Sequence, residues 1–233
     1  MCGRYVVTTP GEVLAELFEL DEKPHLTPRY NIAPTQEVAI VRARAEGGRE
    51  LATAAWGLVP FWAKERAIGN RLINARAETL AEKPSFRDSY KKRRCLIPAD
   101  GFYEWQKVDG HKQPWLLRLR GGAPFAFAGL WSLWRDRESG EPFESCAIVT
   151  TTPNELAATI HDRMPVILPW EHHAGWLATG ATASDLTGML TPIPAAEMEA
   201  YPVSTWVNSP AHDDPRCLEP LAAPPAGAPS HRR

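Results

Sequence analysis

The chain has 233 residues, 44% of them hydrophobic and 23% charged, which suits one domain with a substantial core. No run approaches the roughly 18 apolar residues of a membrane span, and the first residues lack the basic-then-apolar layout of a secretion signal, so the protein is expected in the cytoplasm. With 26 basic and 28 acidic residues the net charge is −2, which excludes bulk charge as a means of holding a polyanion; any nucleic-acid site must be a local basic patch.

In chain order, Thr9-Pro10-Gly11-Glu12 has the form of a capping box with proline at the first helical position. Val13, Leu14, Leu17 and Phe18 then share one apolar face, predicting an amphipathic helix over residues 10–20. A proline-bearing loop follows at 27–36. Strand-like runs at 37–43 and 51–57 flank Gly47-Gly48 and predict a hairpin. Runs at 101–108 and 114–120 flank Asp109-Gly110 and predict another. Two more strands, 124–134 and 145–151, surround the polar turn RDRESGE. Thr152-Pro153-Asn154-Glu155 reads as a second capping box, opening a short helix that ends near His161, and residues 170–178 predict a further helix. Long strands mixed with short helices, without regular βαβ alternation, predict an α+β fold. The expectation is a single domain over residues 1–217, with a mainly antiparallel β-barrel-like core and short flanking helices. Residues 218–233, rich in proline and alanine from Pro220, are expected to form a disordered tail.

The four cysteines, Cys2, Cys95, Cys146 and Cys217, form neither a CxxC pair nor a Cys/His cluster, so no metal or other cofactor is expected. Cys95 and Cys146 sit in apolar stretches and read as buried thiols. Cys2 differs, because removal of Met1 would leave an α-amine beside a thiol. That 1,2-aminothiol can condense with an aldehyde to a Schiff base and then close a thiazolidine, which no internal cysteine can do. On position alone, Cys2 reads as a chance residue.

Asn74-Ala75-Arg76-Ala77-Glu78 offers an amide with donor and acceptor and a guanidinium fork suited to phosphate; it could also be a polar turn with a surface ion pair. Glu104 stands between Tyr103 and Trp105 in a strand-like run. Alternation puts it on the face of Phe102, pointing inward, where its pKa should rise toward the range of a general acid or base. His161 at a helix C-terminus can be stabilised as a cation and shuttle protons, or can simply cap the helix. The run Lys91-Lys92-Arg93-Arg94 reads as a solvated face that could, with Arg4, Arg76, Arg87 and Arg163, track a DNA backbone. Trp56, Trp62 and Trp105 are candidates for stacking on bases.

Together, MCGRY at 1–5, YNIAPTQ at 30–36, WGLVPFWAK at 56–64, NARAET at 74–79, RCLIPADGFYEW at 94–105 and TTPNELAATIHDRMPVIL at 151–168 resemble the SOS-response-associated peptidase (SRAP) family. The segments run in order across roughly residues 1–210. The resemblance implies one α+β domain that captures abasic sites in single-stranded DNA covalently, through a thiazolidine. The family's catalytic cysteine, asparagine, glutamate and histidine fall on Cys2, Asn74, Glu104 and His161. Arg4, Arg76 and Arg163 match positions that hold the DNA backbone, and Arg87, Trp62 and Trp105 join them as candidate DNA contacts. The expected protein is a monomer whose partner is abasic single-stranded DNA, nucleoid-associated when bound and not a membrane protein. Two other readings stand beside this one: a cysteine hydrolase built on Cys2 and His161, as the family's name suggests, and a non-covalent single-strand binder.

Overall fold

A computed structural model describes residues 2–221. The N-terminal half contains β1 (Tyr5–Val7), α1 (Gly11–Leu17), β2 (Arg29–Ile32), β3 (Glu37–Ala43), β4 (Arg49–Trp56), β5 (Asn74–Arg76), α2 (Arg87–Lys92) and β6 (Arg94–Ala99). Then come β7 (Gly101–Val108), β8 (His111–Leu119), β9 (Phe125–Arg135), β10 (Pro142–Thr151), α3 (Glu155–Ala158), β11 (Met164–Pro165), β12 (Ile167–Leu168), α4 (His173–Leu177), α5 (Ala183–Gly188) and β13 (Met198–Pro202).

Strands β10, β4, β3, β6 and β9 pair in that order, and β9 pairs again with β10, closing a five-stranded barrel. All these pairings are antiparallel except β10 with β4. A second sheet, in the order β13-β8-β7-β1-β2, packs beside the barrel. The α+β reading with a mainly antiparallel barrel core therefore holds. The barrel is filled by alternating apolar side chains, among them Ile40, Leu96, Phe127 and Ile148, all at most 1% exposed. Gly129 on β9 lies so close to β6 that an added Cβ would meet the Cys95 sulfur at 2.7 Å.

Both predicted hairpins form. Asp109 and Gly110 adopt φ of 47° and 80°, the turn that suits strand twist, and they leave Val108 opposite His111. The turn between β9 and β10 is held by Asp136, whose Oδ1 accepts from the backbone of Glu138 and Ser139.

Both capping boxes are displaced. Helix α1 starts at Gly11 with Pro10 as its cap, because Thr8 and Thr9 turn away to bind the Asp100 carboxylate. Helix α3 is capped by Asn154, not Thr152: the Asn154 side chain accepts from the backbone of Ala157 at 2.9 Å. The predicted 170–178 helix is present as a 3₁₀ turn leading into α4.

The basic run is also not one solvated face. Lys91 and Lys92 are exposed and Arg93 pairs with Asp88, but Arg94 is buried. Its guanidinium donates to the carbonyls of Tyr90, Lys91, Trp176 and Ala178, closing the C-terminal ends of α2 and α4 with a positive charge. Trp56 is core as well: it is 1% exposed and edge-on to Tyr5, so it is no base-stacking platform.

After β13 the chain wraps back across β2 and β7. Pro220 bridges to Val203, and the Leu221 amide donates to the Pro202 carbonyl, so ordered structure runs through 218–221. The rest of the expected tail, 222–233, lies outside the described residues.

Candidate functional site

The site sits where the two sheets meet. Strand β1 runs antiparallel to β7, with Tyr5 opposite Phe102, and the Tyr103 amide donates to the Arg4 carbonyl. Beyond the last bridge of this ladder, Arg4 and Gly3 lead to Cys2, which lies close enough to Glu104 to feel its charge. Cys2 is fully buried.

Strand β5 extends the barrel by pairing in parallel with β10, Asn74 opposite Ile148. That register aims the Asn74 side chain at the N-terminal segment, where its Nδ2 donates to the Cys2 carbonyl at 2.8 Å. Its Oδ1 is buried without a hydrogen-bond partner among the described residues, an acceptor turned toward the same space.

Alternation along β7 sends Phe102 and Glu104 to one face and Tyr103 to the other, against Val6, Leu116, Val203 and Val207. Glu104 is 4% exposed, and burial pushes its carboxyl up to about 7. His161 follows α3, its amide bonded to the Ala157 carbonyl. Its Nε2 lies 4.0 Å from Glu104 Oε2, while Nδ1 accepts from the Arg163 amide at 3.1 Å. Burial lowers its pKa. The expected cationic stabilisation by a helix end is outweighed, since α3 has only four residues. Burial also raises the Cys2 thiol far above its ordinary value, reinforced by the Glu104 charge.

The candidate DNA contacts divide into three groups. Arg4 lies 5.6 Å over the Trp105 ring and donates to Asn31 Oδ1 and the Val207 carbonyl; Trp105 in turn donates to Asn208. Arg76 is exposed at the end of β5, and Arg163 is forked onto Glu78 beside it. Trp62, 42% exposed, donates to the Pro84 carbonyl, and the exposed Arg87 starts α2 just beyond, so both lie around the 79–86 turn. The structure thus brings Cys2, Asn74, Glu104 and His161 together, and places Trp62 and Arg87 near each other around the 79–86 turn.

A profile of the family described as SOS response associated peptidase (SRAP) matches residues 1–210. The chain belongs to this family. Among SRAP relatives, a Bacillus subtilis protein named abasic site processing protein YoqW is 45% identical, covering 94% of this chain and 99% of the relative. Escherichia coli abasic site processing protein YedK is 31% identical over 95% of this chain and 100% of its own length. The fold agrees with that of a crystal structure from Bacteroides thetaiotaomicron, with a TM-score of 0.85 at 27% identity, covering 95% of this chain and 100% of that one.

Three residues that hold the SRAP site together were not singled out from sequence. Asn31, fully buried in the YNIAPTQ segment, donates to the carbonyls of Val207, Ser209 and His212 and accepts from Arg4. Asp213 receives the amides of Tyr30 and Asn31 and the Arg29 side chain. Glu78 engages Arg163 across 85 residues of sequence. A motif containing Asn31 was visible, but a pairing at such separation leaves no local signal. Among the described residues no cluster of His, Cys, Asp and Glu could hold a metal ion, and no helix is long and apolar enough to cross a membrane.

Proposed function

We infer that this protein processes abasic sites, capturing them in single-stranded DNA as a thiazolidine on Cys2. The observation that carries the reading is the convergence of Asn74 and His161, both half-buried, on the buried Cys2 and Glu104. Supporting it are the names of the relatives, which describe abasic-site processing.

Met1 is hydrolysed off first, freeing the Cys2 amine. An abasic sugar rests mainly as a closed hemiacetal. Glu104, half protonated near neutrality, exchanges a proton with the ring oxygen and the anomeric hydroxyl, releasing the C1′ aldehyde. The amine adds to C1′, and His161 relays a proton from that nitrogen to the hydroxyl, which departs as water and leaves an imine. The thiol adds across the C=N bond: sulfur bonds to C1′ and its proton passes to nitrogen. The net change is the loss of one water. Asn74 holds the Cys2 backbone through its donor, and its remaining acceptor suits an amine proton or a sugar hydroxyl. Arg4, Arg76 and Arg163 would face the backbone phosphates, and Trp62, Trp105 and Arg87 the flanking nucleotides. The protein acts as a monomer.

A cysteine hydrolase built on Cys2 and His161 would need the thiol but not the free α-amine, so blocking the N-terminus separates the two readings. Intact mass spectrometry after mixing with a single-stranded oligonucleotide carrying one abasic site tests the reading. The expected adduct has the summed mass of the Met1-free protein and the oligonucleotide, less one water. A chain with one extra residue before Cys2 should form none. An adduct formed equally by that extended chain would overturn the thiazolidine.

A further inference from the structure

Arg163 stands among the candidate phosphate contacts, yet both terminal nitrogens of its guanidinium are occupied, and Nε alone is buried without a hydrogen-bond partner among the described residues. Nη1 and Nη2 donate to the two Glu78 oxygens at 2.6 and 2.9 Å, and Nη2 donates again to the Thr150 carbonyl at 2.7 Å. The Arg163 side chain is 13% exposed and the Glu78 side chain 46%, so the fork is bidentate, buried on its arginine side and open to solvent on its carboxylate side.

The clamp sits one peptide away from His161. The backbone N–H of Arg163 donates to His161 Nδ1. A ring nitrogen that accepts from an amide carries a lone pair, so the neutral ring bears its proton on Nε2, the nitrogen facing Glu104. A competitor stands close by: Asp162 Oδ1 is 2.8 Å from the same Nδ1, on a side chain 88% exposed. Were Asp162 to win, Nδ1 would hold the proton and Nε2 would be bare. Lys107 and Glu104 are the other charged side chains that act on the ring.

We propose that Glu78 is a positioning residue: by gripping the Arg163 guanidinium from β5, it fixes the Arg163 peptide and thereby the tautomer and orientation of His161. The strand order makes this possible. Strand β10 is flanked by β5 on one side and β11 on the other, with Thr150 opposite both Arg76 and Pro165. The fork ties the chain just past β5 to the chain just before β11. The consequence for catalysis rests on the proton role given to His161 above; the tautomer itself does not.

The test uses the full chain with ¹⁵N-labelled histidine, comparing wild type, Glu78→Ala and Glu78→Gln. Long-range ¹H–¹⁵N spectra report which His161 nitrogen is protonated. Single-turnover cross-linking to an abasic oligonucleotide and binding of the intact oligonucleotide are measured in parallel. Wild type should show protonated Nε2. Glu78→Ala should shift the ring toward protonated Nδ1 and slow cross-linking about tenfold to a hundredfold, with no gain in affinity for the intact oligonucleotide. Glu78→Gln, which keeps one acceptor, should fall between. An unchanged tautomer in Glu78→Ala overturns the proposal. If affinity also rises, Glu78 is instead an occupant of a phosphate site. A changed tautomer with an unchanged rate upholds the positioning role and refutes the proton role of His161.

Discussion

The molecule buries polar side chains in two regions, and it treats them differently. In the framework, Arg94 on β6 of the barrel is 6% exposed with its guanidinium satisfied by four carbonyls, and Asn31 on β2 of the second sheet, fully buried, is satisfied by three carbonyls and an arginine. At the junction of the sheets, burial leaves Glu104 titrating near neutrality, the Cys2 thiol protonated and the Asn74 acceptor unused. Buried polarity in the first region replaces missing backbone partners. In the second it stores unmet demand for protons and hydrogen bonds, which a reactive sugar can meet.

The largest expected effect breaks the first region. Arg94→Met leaves carbonyls at two helix ends without donors and should cost about 3–5 kcal/mol of stability in urea unfolding. The cross-linking rate per folded molecule should be unchanged. A loss below about 1 kcal/mol would mean that water caps those helices well enough.

Glu104→Gln probes the second region and should move activity and stability in opposite directions. Cross-linking should slow by roughly 10²–10⁴. The folded carboxyl, raised from 4.5 to about 7, binds its proton more tightly than the unfolded one. Its stabilising contribution is therefore full below the unfolded value and lost as pH rises through about 7. Glutamine escapes that loss, so the variant should match wild type near pH 4 and exceed it near pH 8, by about 3 kcal/mol at most. Equal stability at both pH values would remove Glu104 from the class of strained groups. The smallest effect sharpens the border between the regions. Tyr103, on the opposite face of β7 from Glu104, donates its hydroxyl to the Tyr30 carbonyl at 2.8 Å. Tyr103→Phe should cost about 1 kcal/mol in thermal unfolding and leave cross-linking untouched.

Sequence disclosed these regions unequally. The hairpins were readable because Gly47-Gly48 and Asp109-Gly110 are local signals, and strand alternation turned Glu104 inward correctly. Barrel closure was not readable: the parallel pairing of Cys146 with Trp56 joins strands some 90 residues apart and asks nothing of either strand's local composition. Arg94 was hidden by its neighbours, since three charges precede it, two of them exposed and one paired with Asp88, and only the carbonyls of helix ends mark it as buried. Thr9 misled for a related reason; its hydroxyl found Asp100, at the bend between β6 and β7, in place of the helix it precedes. Helix α5 carried a readable signal that went unused, a capping box formed by Thr182 and Asp185. The four chemical residues were identified through the order of six motifs, not through any spacing among them.

The short ladder between β1 and β7 has a consequence for where the chain tolerates change. Only Gly3 and Arg4 separate Cys2 from the first paired residue, Tyr5. One extended residue spans about 3.3 Å, so inserting or deleting one there moves Cys2 away from the Asn74 amide and Glu104. The exposed tips at Asp109-Gly110 and Glu138-Gly140 carry no such constraint. A saturating library of single-residue insertions should therefore show a sharp blank at positions 3–4 and dense survivors at those two tips, which are also the places to attach a fluorophore or an affinity handle.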